Sequence, residues 1–111
     1  MPFTALFMAT APDADPAKDR SVIDTGVYRL FTVVVKDHDQ ALELCRTMVP
    51  AEGVDSVLLC PGHAHKDVGE IAEAVGPGVS VSVARGDARS MGIARKAMEE
   101  AGWFAAPLDV P

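Results

Sequence analysis

The segment CPGHAHK, residues 60–66, holds the densest group of side chains that could do chemistry. A cysteine thiolate is a nucleophile, and imidazole exchanges protons near neutral pH. Cys60 and His63 are therefore the candidate catalytic residues, with His63 as acid or base. Gly62 would let the backbone approach a ligand closely, and His65 is a candidate ligand-binding residue. We expect His63, which lies nearer the preceding strand, to face the ligand, so His63→Ala should weaken binding or activity more than His65→Ala.

The same loop admits two other interpretations. Its C-x-x-H-x-H spacing offers soft and borderline ligands that suit zinc or copper. A fourth ligand would have to come from elsewhere in the chain, from His38, Asp37 or Asp87. Structural zinc sites more often use two separated ligand pairs, and the sequence has no second pair, so neither a metal nor a cofactor is predicted. The plainest alternative is a capped turn with solvated histidines and an unreactive, buried Cys60.

Three further polar residues follow predicted strands and are candidate ligand-binding residues. Arg85 could hold a carboxylate, Asp87 could act as a base, and Asp37 follows another strand. Ligands of parallel sheets bind outside the carboxyl ends of the strands, which is where the fold would gather these side chains. An exposed arginine beside an aspartate that begins a helix is the alternative explanation for Arg85 and Asp87.

Four apolar runs rich in β-branched residues predict strands, at residues 3–9, 28–35, 54–60 and 79–84. Three helical patterns follow the last three of these strands. The first begins with a capping-box spacing at Asp37 and Gln40 and should end at Pro50 and Gly53. The second carries an apolar stripe over residues 68–75, and the third runs from Asp87 or Ser90 to Gly102. Asp15-Pro16 predicts an additional short helix over residues 16–23.

Alternating strands and helices predict an α/β fold built on a mostly parallel sheet. We expect four strands and three main helices in the order β-β-α-β-α-β-α. The sheet could be open, as in flavodoxin-like proteins, or form half of a (βα)8-like barrel. The length of 111 residues suits a single domain over residues 1–111.

Composition limits the classes of partner. The net charge of −6 disfavours nucleic acid, no apolar run is long enough to span a membrane, and no signal peptide is visible. The two cysteines do not make a disulfide framework, which favours a cytoplasmic protein. A small sheet has exposed edges, and Trp103, Phe104 and Leu108 follow the last helix. We therefore expect a homo-dimer or higher homo-oligomer, unless this segment folds back on its own domain.

Two segments, APDADPAKDRSVIDT and VDSVLLCPGHAHKDVGEIAEAV, resemble a family of short bacterial α/β proteins catalogued only as a domain of unknown function. The resemblance covers residues 3–86 and implies the fold but no chemistry. The family's loop after the cysteine is usually rich in glycine, whereas this chain carries His63 and His65 there. A role for these histidines therefore does not come from the family.

Two functions remain open from the sequence. In the first, the protein binds a small anionic or carbonyl-bearing metabolite at the carboxyl ends of its strands, as a lyase or isomerase that uses His63 as acid or base. In the second, it is a non-catalytic binding or accessory module that self-associates. An enzyme needs its candidate residues to converge on one concavity, whereas a binding module does not.

Overall fold

The computed structural model describes residues 1–104. In that range the chain forms five strands and three helices. In chain order they are β1 (Phe3–Thr10), β2 (Arg20–Asp24), β3 (Tyr28–Val35), α1 (His38–Glu52), β4 (Ser56–Leu59), α2 (His65–Val75), β5 (Ser80–Val83) and α3 (Ala88–Glu100).

The strands form one open sheet in the order β2-β3-β1-β4-β5. β1, β3, β4 and β5 are parallel, which confirms the predicted α/β fold with three helices and a mostly parallel sheet. β2 pairs antiparallel with β3 and makes the sheet one strand larger than predicted. The order of elements accordingly begins with three strands rather than two. β1 lies between β3 and β4, so the order of strands in the sheet does not follow the order along the chain, as it would in half of a (βα)8 barrel.

The prediction of a short helix over residues 16–23 is wrong, and the reason is local. Asp15 does cap a turn, because its Oδ1 accepts from the amide of Ala17 at 3.0 Å and its carbonyl accepts from Asp19 at 2.8 Å. Only this single turn follows. The chain then becomes extended, and β-branched Val22 and Ile23 pair with β3. Pairing with a neighbouring strand overrides the capping signal.

Helices α1 and α2 cover one face of the sheet and build the core with it. Leu6, Met8, Val57 and Leu59 point toward these helices, and all four are fully buried. Asp37 caps α1 as predicted, accepting from the amide of Gln40 at 2.9 Å. Of the two residues predicted to end α1, Gly53 does so and Pro50 does not.

Pro50 lies inside α1 and does not end it. The helix continues through Glu52, and Gly53 then takes a left-handed conformation with φ of 65°. A proline in the last turn removes one amide donor but leaves the earlier turns of the helix unaffected. Glycine is the residue that adopts this left-handed conformation without strain, so Gly53 ends the helix.

The opposite side of the sheet is named the open face. Side chains alternate along each strand, and paired residues share a face, so the register identifies its members. They are Phe3, Ala5, Phe7, Ala9, Ser21, Ile23, Tyr28, Leu30, Thr32, Val34, Ser56, Leu58, Ser80 and Ser82.

Helix α3 packs differently from the other two. None of its residues, all of which lie in the described range, is buried. It begins immediately after Gly86, where a Cβ would lie 3.0 Å from Met91 Sδ and 3.1 Å from Pro61 Cβ. Glycine thus permits the start of α3 to approach the loop after β4. Over residues 1–104, no helix has both the length and the apolar character needed to cross a membrane.

Candidate functional site

A concavity of about 680 Å³ lies between the carboxyl ends of β1 and β4 and the inner side of α3; it is named the Cys60 cavity. The position agrees with the rule that ligands of parallel sheets bind beyond the carboxyl ends of the strands. Its lining consists of Ala9, Thr10, Cys60, Pro61, Gly62, Met91, Gly92, Arg95, Met98, Trp103 and Phe104.

Backbone hydrogen bonds fix Cys60 at this point. Its amide donates to the carbonyl of Met8 at 3.0 Å, which extends the β1–β4 pairing by one residue. The chain then turns, and the amide of His63 donates to the Cys60 carbonyl at 3.4 Å. The Cys60 Sγ lies 3.7 Å from Thr10 Oγ1. The thiol is therefore held between two neighbouring strand ends.

Gly62 is close to this pair. A Cβ at Gly62 would lie 3.3 Å from Thr10 Oγ1 and 3.6 Å from Cys60 Sγ. A larger residue would crowd the thiol and the hydroxyl, so glycine keeps the backbone near both. The prediction that Gly62 permits close backbone approach fits this geometry, and the groups it approaches are on the protein itself.

The two cysteines have opposite chemistry. Burial raises the pKa of Cys60, but hydrogen bonds from the His63 side chain, the Gly62 backbone and Thr10 outweigh burial and lower that pKa to about 7. Burial raises the pKa of Cys45, in the core, to about 11. Both thiols are free. At neutral pH a large fraction of Cys60 is thiolate, whereas Cys45 remains protonated.

His63 lies beside this thiol and is buried, with 8% of its surface exposed. Its Nε2 atom is enclosed and makes no well-formed hydrogen bond with any residue of the range 1–104. A buried nitrogen without a partner is costly, and such groups occur where a function needs them. Cys60 and His63, the predicted catalytic residues, are thus adjacent.

Of the predicted site residues, Cys60 and Gly62 line the Cys60 cavity, whereas His63 lies beside Cys60 outside the lining and the other four do not reach it. His65 is exposed at the first position of α2. Arg85 and Asp87 pair with each other at 2.7 Å, and both side chains are mostly in solvent. Asp37 uses its carboxylate to cap α1. A position directly after a strand was therefore not sufficient to bring a side chain to the cavity, because these side chains bond to neighbouring residues or are exposed to water.

Helix α3 and the residues after it supply most of the lining that the sequence interpretation missed. Met91, Arg95 and Met98 lie one turn apart, so all three face the cavity. The Arg95 guanidinium lies 4.4 Å from the centre of the Phe104 ring. The feature of the sequence that could have revealed Arg95 as a lining residue is an arginine within the apolar stripe of a predicted helix. Thr10 had no comparable signal, because only strand pairing brings it to Cys60.

The predicted alternative metal ligands Cys60, His63 and His65 do not assemble. Among the described residues, the group whose ligand atoms lie within 4.8 Å of one another is His38, Asp67 and Glu70. The Nε2 of His38 lies 3.7 Å from Asp67 Oδ1 and 3.6 Å from Glu70 Oε1. These residues join the start of α1 to α2. They could hold a divalent ion, and without one they form an ion pair when His38 is protonated.

Fold and site together define a small α/β domain with a mostly parallel sheet and a thiol-bearing cavity at the carboxyl ends of its strands. The chain belongs to DUF6506, a family of unknown function, whose model matches residues 3–99. The resemblance seen in the sequence is thereby confirmed. Comparison with curated proteins and with solved structures finds no match for the chain.

Proposed function

We propose that this protein binds a small organic molecule in the Cys60 cavity and transforms it as a lyase or isomerase. The ligand has an apolar body and a carboxylate or carbonyl head. Cys60 and His63 are the reactive groups. The observation that carries this proposal is the thiol of Cys60, which lines a cavity of about 680 Å³, has a pKa lowered to about 7 and lies next to the buried imidazole of His63, a residue outside the lining.

The lining supports this ligand class. Met91, Met98, Trp103 and Phe104 offer apolar and aromatic surface, which suits a hydrocarbon or aromatic body. Arg95 is the cationic side chain in the lining; its Nε lies 3.4 Å from Glu99 Oε1, so a bound carboxylate would replace Glu99 as its partner. The ligand is therefore an organic acid or 2-oxo acid in preference to a strongly charged phosphate ester.

The reaction class follows from the two groups beside the cavity. The Cys60 thiolate, which exchanges a proton near pH 7 and is stabilised by a hydrogen bond from His63, could move a proton at the carbon next to a carbonyl. The Cys60 thiolate takes the proton from this carbon and becomes a thiol, which leaves an enolate, and the thiol then returns the same proton to a different carbon of the conjugated enolate, so that the carbonyl and the thiolate are restored. No redox partner is required.

Trp103, the one tryptophan of the chain, lines the cavity and can report binding directly. Its fluorescence should change saturably when phenylpyruvate or hexanoate is added, and much less with inorganic phosphate or with hexanamide, which lacks the charge. Arg95→Ala should weaken hexanoate binding about tenfold. The matched control is Arg89→Ala, which removes another exposed arginine of α3 that does not line the cavity.

If no acid in the panel changes the Trp103 signal at millimolar concentration, the cavity is not the binding site. Binding without any turnover would instead favour the second function, a non-catalytic binding module. One observation favours that alternative: within residues 1–104, no third residue orients His63 by a hydrogen bond to its Nε2 atom.

A further inference from the structure

We propose that the open face of the sheet is the interface of a homodimer, in which two copies of this chain pack face to face. Within the described strands the face defined above carries no charged residue: nine of its fourteen members are apolar or aromatic, and five are serine or threonine. The chain as a whole is 23% charged. A surface of this size without charge is unusual unless another surface covers it.

The exposure of several large side chains shows that the described chain leaves much of this face uncovered, although Ala5, near its centre, is only 6% exposed. Phe3 and Ile23 are 51% and 59% exposed, and Tyr28 and Leu58 are each 37% exposed. The Phe3 and Tyr28 rings stack on each other, with centroids 5.6 Å apart. Mostly parallel sheets of α/β proteins are normally covered on both faces. Here α1 and α2 cover only one.

Helix α3, which follows the last strand, is the element expected to cover the second face, but it does not do so. None of its residues in the described range is buried, and it lines the Cys60 cavity at the end of the sheet. The radius of gyration, 15.2 Å, exceeds the about 13 Å of a compact chain of this length. A single copy is therefore more extended than a self-contained domain.

The absence of charge on the open face favours a second copy of this chain as the partner that covers it. Two-fold packing places the same patch on both sides of an interface, so a charged patch would repel itself. The net charge of −6 lies elsewhere on the chain, and the uncharged open face lets two acidic molecules meet without bringing like charges into contact. Five strands spaced about 4.8 Å apart, at about 3.3 Å per residue, give a face of roughly 500 Å². Two such faces bury roughly 1,000 Å², which is about the minimum for a specific interface.

Sedimentation velocity of the full chain tests the proposal. The wild type should be a dimer at concentrations on the order of 10 µM, and Leu58→Glu should raise the dimer dissociation constant at least about tenfold, because it buries an unpaired charge at the interface. Leu58 is partly exposed in one copy, so the monomer should stay folded, which circular dichroism checks. Ile93→Glu is the matched control, since Ile93 is 68% exposed on α3 and lies outside the open face.

A monomeric wild type at concentrations on the order of 100 µM would overturn the proposal and indicate that the chain covers its own sheet. A dimer that persists in Leu58→Glu but dissociates in Ile93→Glu would also overturn it, because the interface would then lie on α3. Neither result bears on ligand binding in the Cys60 cavity, which is measured separately by Trp103 fluorescence.

Discussion

At the residue scale, the lowered pKa of Cys60 predicts selective alkylation. Iodoacetamide should modify Cys60 with a rate that rises around pH 7, because the thiolate is the reacting species. At pH 7 about half of the thiol is ionised, but a thiolate of lower pKa is also less nucleophilic, so the gain over an ordinary thiol is about fivefold. Mass spectrometry locates the label. Cys45 is the internal control and should stay unmodified in the folded protein.

The two histidines of the loop should differ in effect. His63 is buried beside the thiol, whereas His65 is exposed. His63→Gln should move the midpoint of the alkylation profile above pH 7, since a hydrogen bond that lowers the Cys60 pKa is lost. His65→Gln should leave the midpoint unchanged. Equal shifts in both variants would mean that the general charge of the loop, and not the contact with His63, sets the reactivity of Cys60.

Gly62 offers a second test of the same contact. Gly62→Ala places a methyl group 3.3 Å from Thr10 Oγ1 and 3.6 Å from Cys60 Sγ. The thiol and hydroxyl must separate slightly, so we expect slower alkylation at pH 7 by about two- to threefold, with stability lowered by about 1 kcal/mol. Gly69→Ala on α2 is the control, because nothing lies within 4 Å of its Cβ position. An unchanged alkylation rate in Gly62→Ala would show that the site tolerates the methyl group.

At the element scale, the position of α3 depends on one close approach. In Gly86→Ala the new Cβ would lie 3.0 Å from Met91 Sδ and 3.1 Å from Pro61 Cβ. Met91 can move its flexible end, but Pro61 is held by its ring, so α3 must shift away from the loop. The Cys60 cavity should then lose affinity for hexanoate several-fold while the core keeps its stability within about 1 kcal/mol. Trp103 fluorescence and urea unfolding measure the two effects, and a large loss of stability with unchanged binding would contradict this account.

At the scale of the whole molecule, the Cys60 thiolate should make stability depend on pH. The pKa of Cys60 is about 7 in the folded chain, against an ordinary value of 9.0. Between pH 7 and pH 9 the folded chain therefore binds fewer protons than the unfolded chain. Stability should therefore rise from pH 7 to pH 9 and be lost as pH falls through 7. Because Cys60 is only partly buried, the effect is discounted to about 1 kcal/mol.

Urea unfolding at both pH values measures this gain. Cys60→Ala should remove this gain in stability. Cys45 contributes equally to the stability of the wild type and of the variant, so its contribution cancels when the two are compared. Above pH 9 that contribution is destabilising, because the unfolded chain ionises Cys45 and the folded chain does not until about pH 11. If the wild type and Cys60→Ala gain equally between pH 7 and pH 9, Cys60 is not a thiolate in the folded state.

The sequence by itself determined the parallel strands β1, β3, β4 and β5 and the helices between them, because their patterns are local and periodic. It also placed Cys60 and His63 side by side, since only the two residues of a tight turn, Pro61 and Gly62, separate them. Only the tertiary structure decided the remainder. β2 exists through pairing with β3, Thr10 reaches Cys60 across 50 residues of chain, and α3 brings Arg95 to the cavity. These contacts join residues distant along the chain, and their energy depends on packing that no local pattern records.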